Sequence, residues 1–382
     1  MKYLIKLYQS KLLLLAIVLL GIGLRFLAAT RGNNYDFDSF LIVANIVSKG
    51  LNVYASTNRY NYGPIWFQLI NIMFLVSSKN IIVFRYILVA SLSLVDLAIF
   101  AILYKKLGKS IAYLFFLNPI SIIITGYHNQ FDNLALLLGM MSVLTIGENF
   151  GTQINRQKLL GLLILGISLS TKHLLIVFPI WLAVKQKGIF QKIFIIIVPL
   201  IIFFCSFIPY WKNGYQGIIN NVFLYKSFFN EYFYRIFVPS GIQAILSSTE
   251  IWIILLITFA MIFRKRNGFD SLLLYTCILV AASPSIANQY LSIVVPFVAA
   301  NLNPFTLSYT LIGTFYLLKS ADGLHFYGIQ NVTDTINYQI IFYPILVILL
   351  CLGFIRRIWY KQLHTLLNNI YNEIKIQLGY KE

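Results

Sequence analysis

Apolar runs follow one another along this chain with little between them, and that succession limits the fold more than any single motif. The first, Leu12 to Ala29, is long enough to cross a bilayer, and comparable runs recur to about residue 355. With 59% hydrophobic residues, 11% charged residues and a mean hydropathy of +0.78, the chain has too little polar side chain to cover an ordinary soluble globule. Runs of this length inside lipid must satisfy their own backbone hydrogen bonds, which points to helices. The expected fold is therefore all-α: a polytopic transmembrane helix bundle of about 10–13 spans, with residues 1–360 forming one domain. Its N-terminal run follows Lys2, Lys6 and Lys11 and is read as a retained first helix rather than a cleaved signal.

Basic residues set the orientation. The tight clusters Lys105-Lys106-Lys109, Arg264-Lys265-Arg266 and Arg356-Arg357 fall in short connections, and the positive-inside rule puts them on the inner side. The formal net charge of +18 then reads as orientation signals and contacts to anionic lipid headgroups, not as a nucleic-acid surface. On this register a long first outer loop, residues 30–61, precedes the run 65–76, which is too short to span and is expected as an interfacial juxtamembrane helix. Spans follow at about 82–104, 111–127, 131–147, 159–171, 173–184, 191–209, 250–263, 269–283, 290–302, 304–319 and 338–355. The tail, 361–382, repeats Leu363, Leu366, Leu367, Ile370, Ile374 and Leu378 at helical spacing, so an amphipathic helix along the inner face is expected. Cys205, Cys277 and Cys351 lie inside apolar runs without metal-ligand spacing.

The same register gathers the polar clusters on the outer side. Asp36 and Asp38 follow the first span, His128-Asn129-Gln130-Phe131-Asp132 forms the third turn, Thr171-Lys172-His173 ends the fifth span, and Gln289-Tyr290 follows the ninth. An ionised carboxylate held against apolar protein and lipid is costly unless it is paired or used. Such a group can act as a general base on a hydroxyl or bind a divalent cation, and Asp36, Asp38 and Asp132 are the candidate ligands for Mg2+ or Mn2+. Lys172, with His128 or His173, offers positive charge to a phosphate. A carboxylate and a phosphate binder at a bilayer surface suit transfer of a group from a lipid phosphate to an acceptor hydroxyl. The remaining polar residues have plainer readings: Asp96 as a contact between helices, and Glu231 with Arg235 as a helix pair. Asn331-Val332-Thr333 is a glycosylation sequon, relevant only in a secretory pathway.

The order Tyr35-Asp36-Phe37-Asp38, Gly50-Leu51-Asn52-Val53-Tyr54, Asn61-Tyr62-Gly63-Pro64, His128-Asn129-Gln130-Phe131-Asp132 and Thr171-Lys172 resembles the GT-C superfamily of integral membrane glycosyltransferases. Within that superfamily it is most similar to polyprenyl-phosphate-mannose-dependent enzymes, over about residues 12–185. The chain departs from the family pattern at Gly63-Pro64, where two prolines are usual, and at His173, where a proline is usual.

The resemblance implies an inverting hexosyltransferase that moves a sugar, mannose first, from a polyprenyl-phosphate donor to a glycan, glycolipid or protein acceptor at the outer or lumenal face. It makes Asp36 the base and Asp38 its partner. Asp132 then holds the base or a metal, while His128, Gln130, Lys172, His173, Gln289 and Tyr290 bind the donor phosphate or sugar. The expected setting is a prokaryotic plasma membrane, or the endoplasmic reticulum membrane in a eukaryote. The alternatives from another class are a secondary transporter of about twelve spans and a lipid-linked-sugar flippase. Both would carry a ligand without forming a glycosidic bond, and a transporter would place its coupling charges near the bilayer midplane.

Overall fold

The computed structural model describes residues 11–147, 154–225, 248–284, 287–319 and 342–359, with residues 239, 241, 242 and 324. The expectations for the tail 361–382, for Glu231 and Arg235, and for the sequon at Asn331 lie outside the described residues. All described regular structure is helical.

The first half runs α1 (Lys11–Ala29), α2 (Tyr35–Ser48), α3 (Val53–Ser56), α4 (Pro64–Val76), α5 (Ile81–Leu107), α6 (Lys109–Phe116) and α7 (Pro119–Ile123). α7 passes directly into a π-helical turn, Ile124–His128, and α8 (Asp132–Ile146) follows. After α9 (Arg156–Thr171) come α10 (Phe178–Ala183), α11 (Ile189–Cys205), α12 (Ile208–Ile218), α13 (Thr249–Ile262), α14 (Gly268–Ala281), α15 (Tyr290–Ile293), α16 (Val295–Ala300), α17 (Pro304–Lys319) and α18 (Phe342–Trp359).

One expectation changes here. The first outer loop is largely helical: Asn34 caps α2 by accepting the Asp36 N–H at 3.2 Å, and Asn52 caps α3, so residues 35–48 form a helix inside the segment expected as a loop. Among the described residues, α1, α5 and α18 are long and apolar enough to cross a membrane, and the total reaches five if each of two bent pairs serves as one span. These pairs are α6–α7, bent 44° at Asn118-Pro119, and α11–α12, bent 85° beside Pro209. Several other runs are helices of only 14 or 15 residues, among them α8, α13 and α14.

A polar network ties the front of the bundle together. Arg25, buried in the middle of an apolar helix, donates from Nε to Asp96 at 2.9 Å, from Nη1 to the carbonyls of Gly21 and Phe116, and from Nη2 to Ser121 Oγ. Asp96 also accepts from Thr125 Oγ1 at 2.7 Å and from Asn133 Nδ2 at 2.6 Å. A buried charge pair of this kind holds only when its other lone pairs and protons are also satisfied. Asp96 is thus the interhelical contact expected of it. Through Thr125 and Asn133 it also braces the turn between α7 and α8.

α9 packs along both α8 and α11, and α5 packs along α8 and α1. Glycine allows the closest approaches: a Cβ on Gly126 would overlap the Arg25 carbonyl, and one on Gly63 would overlap the Ser170 carbonyl. α8 and α14 run between two cavities. The smaller, about 230 Å³, is walled by Lys106, Gly147, Asn267, Asp270 and Arg357, with Arg357 paired to Asp270. The larger lies at the other end of both helices.

Candidate functional site

The larger cavity, about 640 Å³, is built by chain segments far apart in sequence. Its polar wall comes from the first turn of α2 (Tyr35, Asp36), the α3–α4 connection (Asn58, Arg59, Asn61, Tyr62), the segment after α9 (Lys172, His173), and the α14–α15 turn with the start of α15 (Ser283, Gln289, Tyr290). Apolar residues complete the lining, among them Phe203 and Phe204 from α11, Val222 and Phe223 from the π-helical turn Ile219–Phe223 after α12, and Trp252 and Ile253 from α13; Phe40, Leu174, Ile176, Leu279 and Ile293 also line it.

Helix register decides which aspartate faces the cavity. Residues two apart on a helix point about 200° apart, so one first turn cannot present both carboxylates to the same space. Asp36 lines the cavity; Asp38 is exposed, does not line it, and accepts from Asn33 Nδ2 at 3.4 Å.

Asn34 connects Asp36 to the α7–α8 turn. Its Nδ2 donates to Asp36 Oδ2 at 2.8 Å and to His128 Nδ1 at 2.9 Å. A carboxylate can only accept, so this amide orientation makes His128 Nδ1 an acceptor and leaves the histidine proton on Nε2. His128 and Asn34 are both buried and do not line the cavity, so His128 is linked to it only through Asn34 and then Asp36.

Lys172 lines the cavity, and its Nζ donates to Asp132 Oδ2 at 2.7 Å. The ammonium also lies 4.8 Å from the ring centres of Tyr62 and Phe131, and Trp66 stacks on Phe131 at 4.0 Å. The lysine expected to meet a phosphate is thus half of a buried ion pair, and Asp132 is its counter-ion rather than a cavity residue.

Gln130 is buried beside this pair and does not reach the cavity. Among the described residues, His128 Nε2, Asn129 Oδ1, both amide atoms of Gln130, Asp132 Oδ1 and Asn133 Oδ1 are buried without hydrogen-bond partners. Each such atom costs about 1–3 kcal/mol, so residues 128–133 carry more polar capacity than their protein neighbours use.

Asp36, Asp38 and Asp132 therefore sit in three different surroundings: the cavity lining, an exposed helix face and a buried ion pair. No group of three or more His, Cys, Asp or Glu side chains suited to a metal ion occurs among the described residues.

The α3–α4 connection is held in place by its own aromatics. Tyr54 donates to the Tyr62 carbonyl at 2.9 Å, and Tyr60 donates to the Gly63 carbonyl at 2.6 Å while accepting from Phe67 N. This fixes Arg59 and Tyr62 at the cavity. Burial, then the charges of Asp36 and Asp132, push the Tyr62 phenol well above its ordinary pKa, so it stays a hydrogen-bond donor.

Sequence reasoning gave no site role to Asn34, Arg59 or Tyr62. The signal for Asn34 was present as an N-cap residue two before an aspartate, whereas Arg59 lies in a turn-prone stretch and Tyr62 entered only as part of the motif Asn61-Tyr62-Gly63-Pro64. Among known proteins, no family model matches the chain, and no curated protein or solved structure matches it at significance.

Proposed function

We propose that this chain is a polytopic membrane glycosyltransferase, taking a sugar from a polyprenyl-phosphate donor to an acceptor hydroxyl at the outer or lumenal face. The observation that carries the reading is one cavity lined by a carboxylate, two basic side chains and other polar groups together with many apolar and aromatic side chains. A sugar phosphate matches the polar groups and an isoprenoid chain the apolar ones. Exposed leucines along α1, such as Leu12, Leu19 and Leu27, fit contact with lipid. The end of the bundle bearing Lys106 and Arg357 lies opposite the cavity, as inner-side charges would.

In this mechanism Asp36 accepts the proton of the acceptor hydroxyl. The oxygen attacks the anomeric carbon from the face opposite the phosphate, and the bond from that carbon to the phosphate oxygen breaks. The polyprenyl phosphate leaves with the bonding electrons, and the configuration inverts. Asn34 orients Asp36 by a hydrogen bond, and Tyr62 donates toward the sugar.

The test is transfer by the purified full chain supplied with polyprenyl-phosphate-mannose and a mixture of membrane acceptors. Asp36→Asn should lower the rate about 10²–10⁴-fold, the span of general base catalysis, while Asp38→Asn keeps most of it. Transfer by Asp36→Asn at the normal rate sinks the assignment. Movement of the lipid-linked sugar between leaflets without a glycosidic bond would assign the cavity to transport.

A further inference from the structure

We propose that Arg59 is the anion-binding group of the larger cavity and grips the phosphate of a lipid-linked ligand there, an inference that rests on the donor reading above. Of the lysines and arginines described at the cavity, Lys172 is already committed to Asp132 at 2.7 Å. Arg59 makes no ion pair among the described residues. Its guanidinium carbon lies 3.7 Å from the centre of the Tyr35 ring, and Nη2 donates to the Tyr35 carbonyl at 3.3 Å. Nε is buried without a hydrogen-bond partner.

The group is therefore held flat, with one N–H used and most of its fork left over. A stacked guanidinium with free parallel donors suits a tetrahedral anion, which it can bind bidentately, whereas an ammonium acts as a point charge. Holding that orientation in advance lowers the ordering cost of binding. Tyr35 is the residue before Asp36, so the platform under Arg59 and the proposed base belong to one helix turn. A phosphate at Arg59 and a hydroxyl at Asp36 would occupy the same cavity.

The experiment measures equilibrium binding of a short-chain polyprenyl phosphate to the full chain in phosphatidylcholine nanodiscs. The matching polyprenol, phosphatidylglycerol and inorganic phosphate serve as competitors. Wild type should prefer polyprenyl phosphate to polyprenol by at least about tenfold, the step expected for one charge-assisted contact pair. Arg59→Gln should abolish that preference, and Arg59→Lys should keep only part of it. Asp38→Asn, exposed and outside the cavity, should bind as wild type does. Thermal midpoints of the unliganded variants show whether they fold; if Arg59→Gln does not, Tyr35→Leu, which keeps the charge and removes its platform, should weaken binding severalfold.

Binding by Arg59→Gln within twofold of wild type, with wild type still discriminating, overturns the role of Arg59 and leaves the donor reading standing. Equal displacement by phosphatidylglycerol also overturns it, because the contact would then be one to bulk headgroups. Competition by inorganic phosphate as effective as by the lipid would assign the site to a free anion and overturn it likewise. A wild-type protein that holds polyprenol as tightly as polyprenyl phosphate refutes the donor reading itself.

Discussion

The two buried ion pairs should respond differently to removal, because one is embedded in a network and the other is nearly alone. Arg25 and Asp96 are both fully buried, and Asp96→Asn leaves the Arg25 guanidinium without its counter-charge. Breaking one side of a buried pair costs about 3–5 kcal/mol. Replacing both partners, as in Arg25→Met with Asp96→Leu, removes the charges but orphans the Asn133 amide and the Phe116 carbonyl, while the Thr125 and Ser121 hydroxyls that also bond the pair can turn to helix carbonyls instead. At about 1–3 kcal/mol for each unpaired group, the double variant should still lose about 2–6 kcal/mol. Lys172 and Asp132 contrast with this, since one hydrogen bond joins them and Asp132 Oδ1 already has no partner. Lys172→Met with Asp132→Leu should therefore fall within about 1 kcal/mol of wild type, although Asp132→Asn alone is costly. The assay is reversible unfolding in mixed micelles, followed by circular dichroism for wild type, each single variant and each double. If the Arg25/Asp96 double variant is as stable as wild type, the network is not what makes that pair indispensable, and the reasoning fails.

Three further outcomes are expected. Gly63→Ala should lower stability by about 1–3 kcal/mol, since its methyl would strike the Ser170 carbonyl, whereas Gly23→Ala, with open space around it, should be neutral or slightly stabilising; thermal midpoints compare the two. Cysteines placed at Asp38 and at Lys106, in a chain whose exposed Cys205 and Cys351 are first replaced, should react with an impermeant maleimide from opposite sides of the membrane; labelling from one side would remove the two-ended arrangement. Burial pushes the Lys185 amine down to about 8, below its unfolded value of 10.5, so the unfolded chain binds more protons between those pH values and stability should rise with pH across that window. Below pH 8 the cost of charging the buried amine is present in full, and Lys185→Met should flatten the rise when unfolding is measured from pH 7.5 to 10.5.

Helix positions were legible in the sequence where one apolar run met clear ends. The run 304–319 is α17, 250–263 is α13 displaced by one residue, and 65–76 is α4 with Pro64 at its first position. Bends were harder to read, because Pro119 and Pro209 sit inside runs whose hydrophobicity continues through them. Long-range partners were not legible at all: hydropathy gives no sign that Arg25 will meet Asp96, 71 residues away, or that Lys172 will meet Asp132, 40 residues away. Of the candidate site, the gathering of polar segments could be argued from alternating spans, since that depends only on which end of each helix a segment follows. The division of labour within it could not, because it depends on rotation about each helix axis. Asp36 and Asp38 show why. As loop residues they would be interchangeable, but once Asn34 caps a helix beginning at Tyr35, one carboxylate turns to the cavity and the other away from it. The cap is visible in the triplet Asn34-Tyr35-Asp36, and a helix starting there separates the two aspartates by about 200° from the sequence alone.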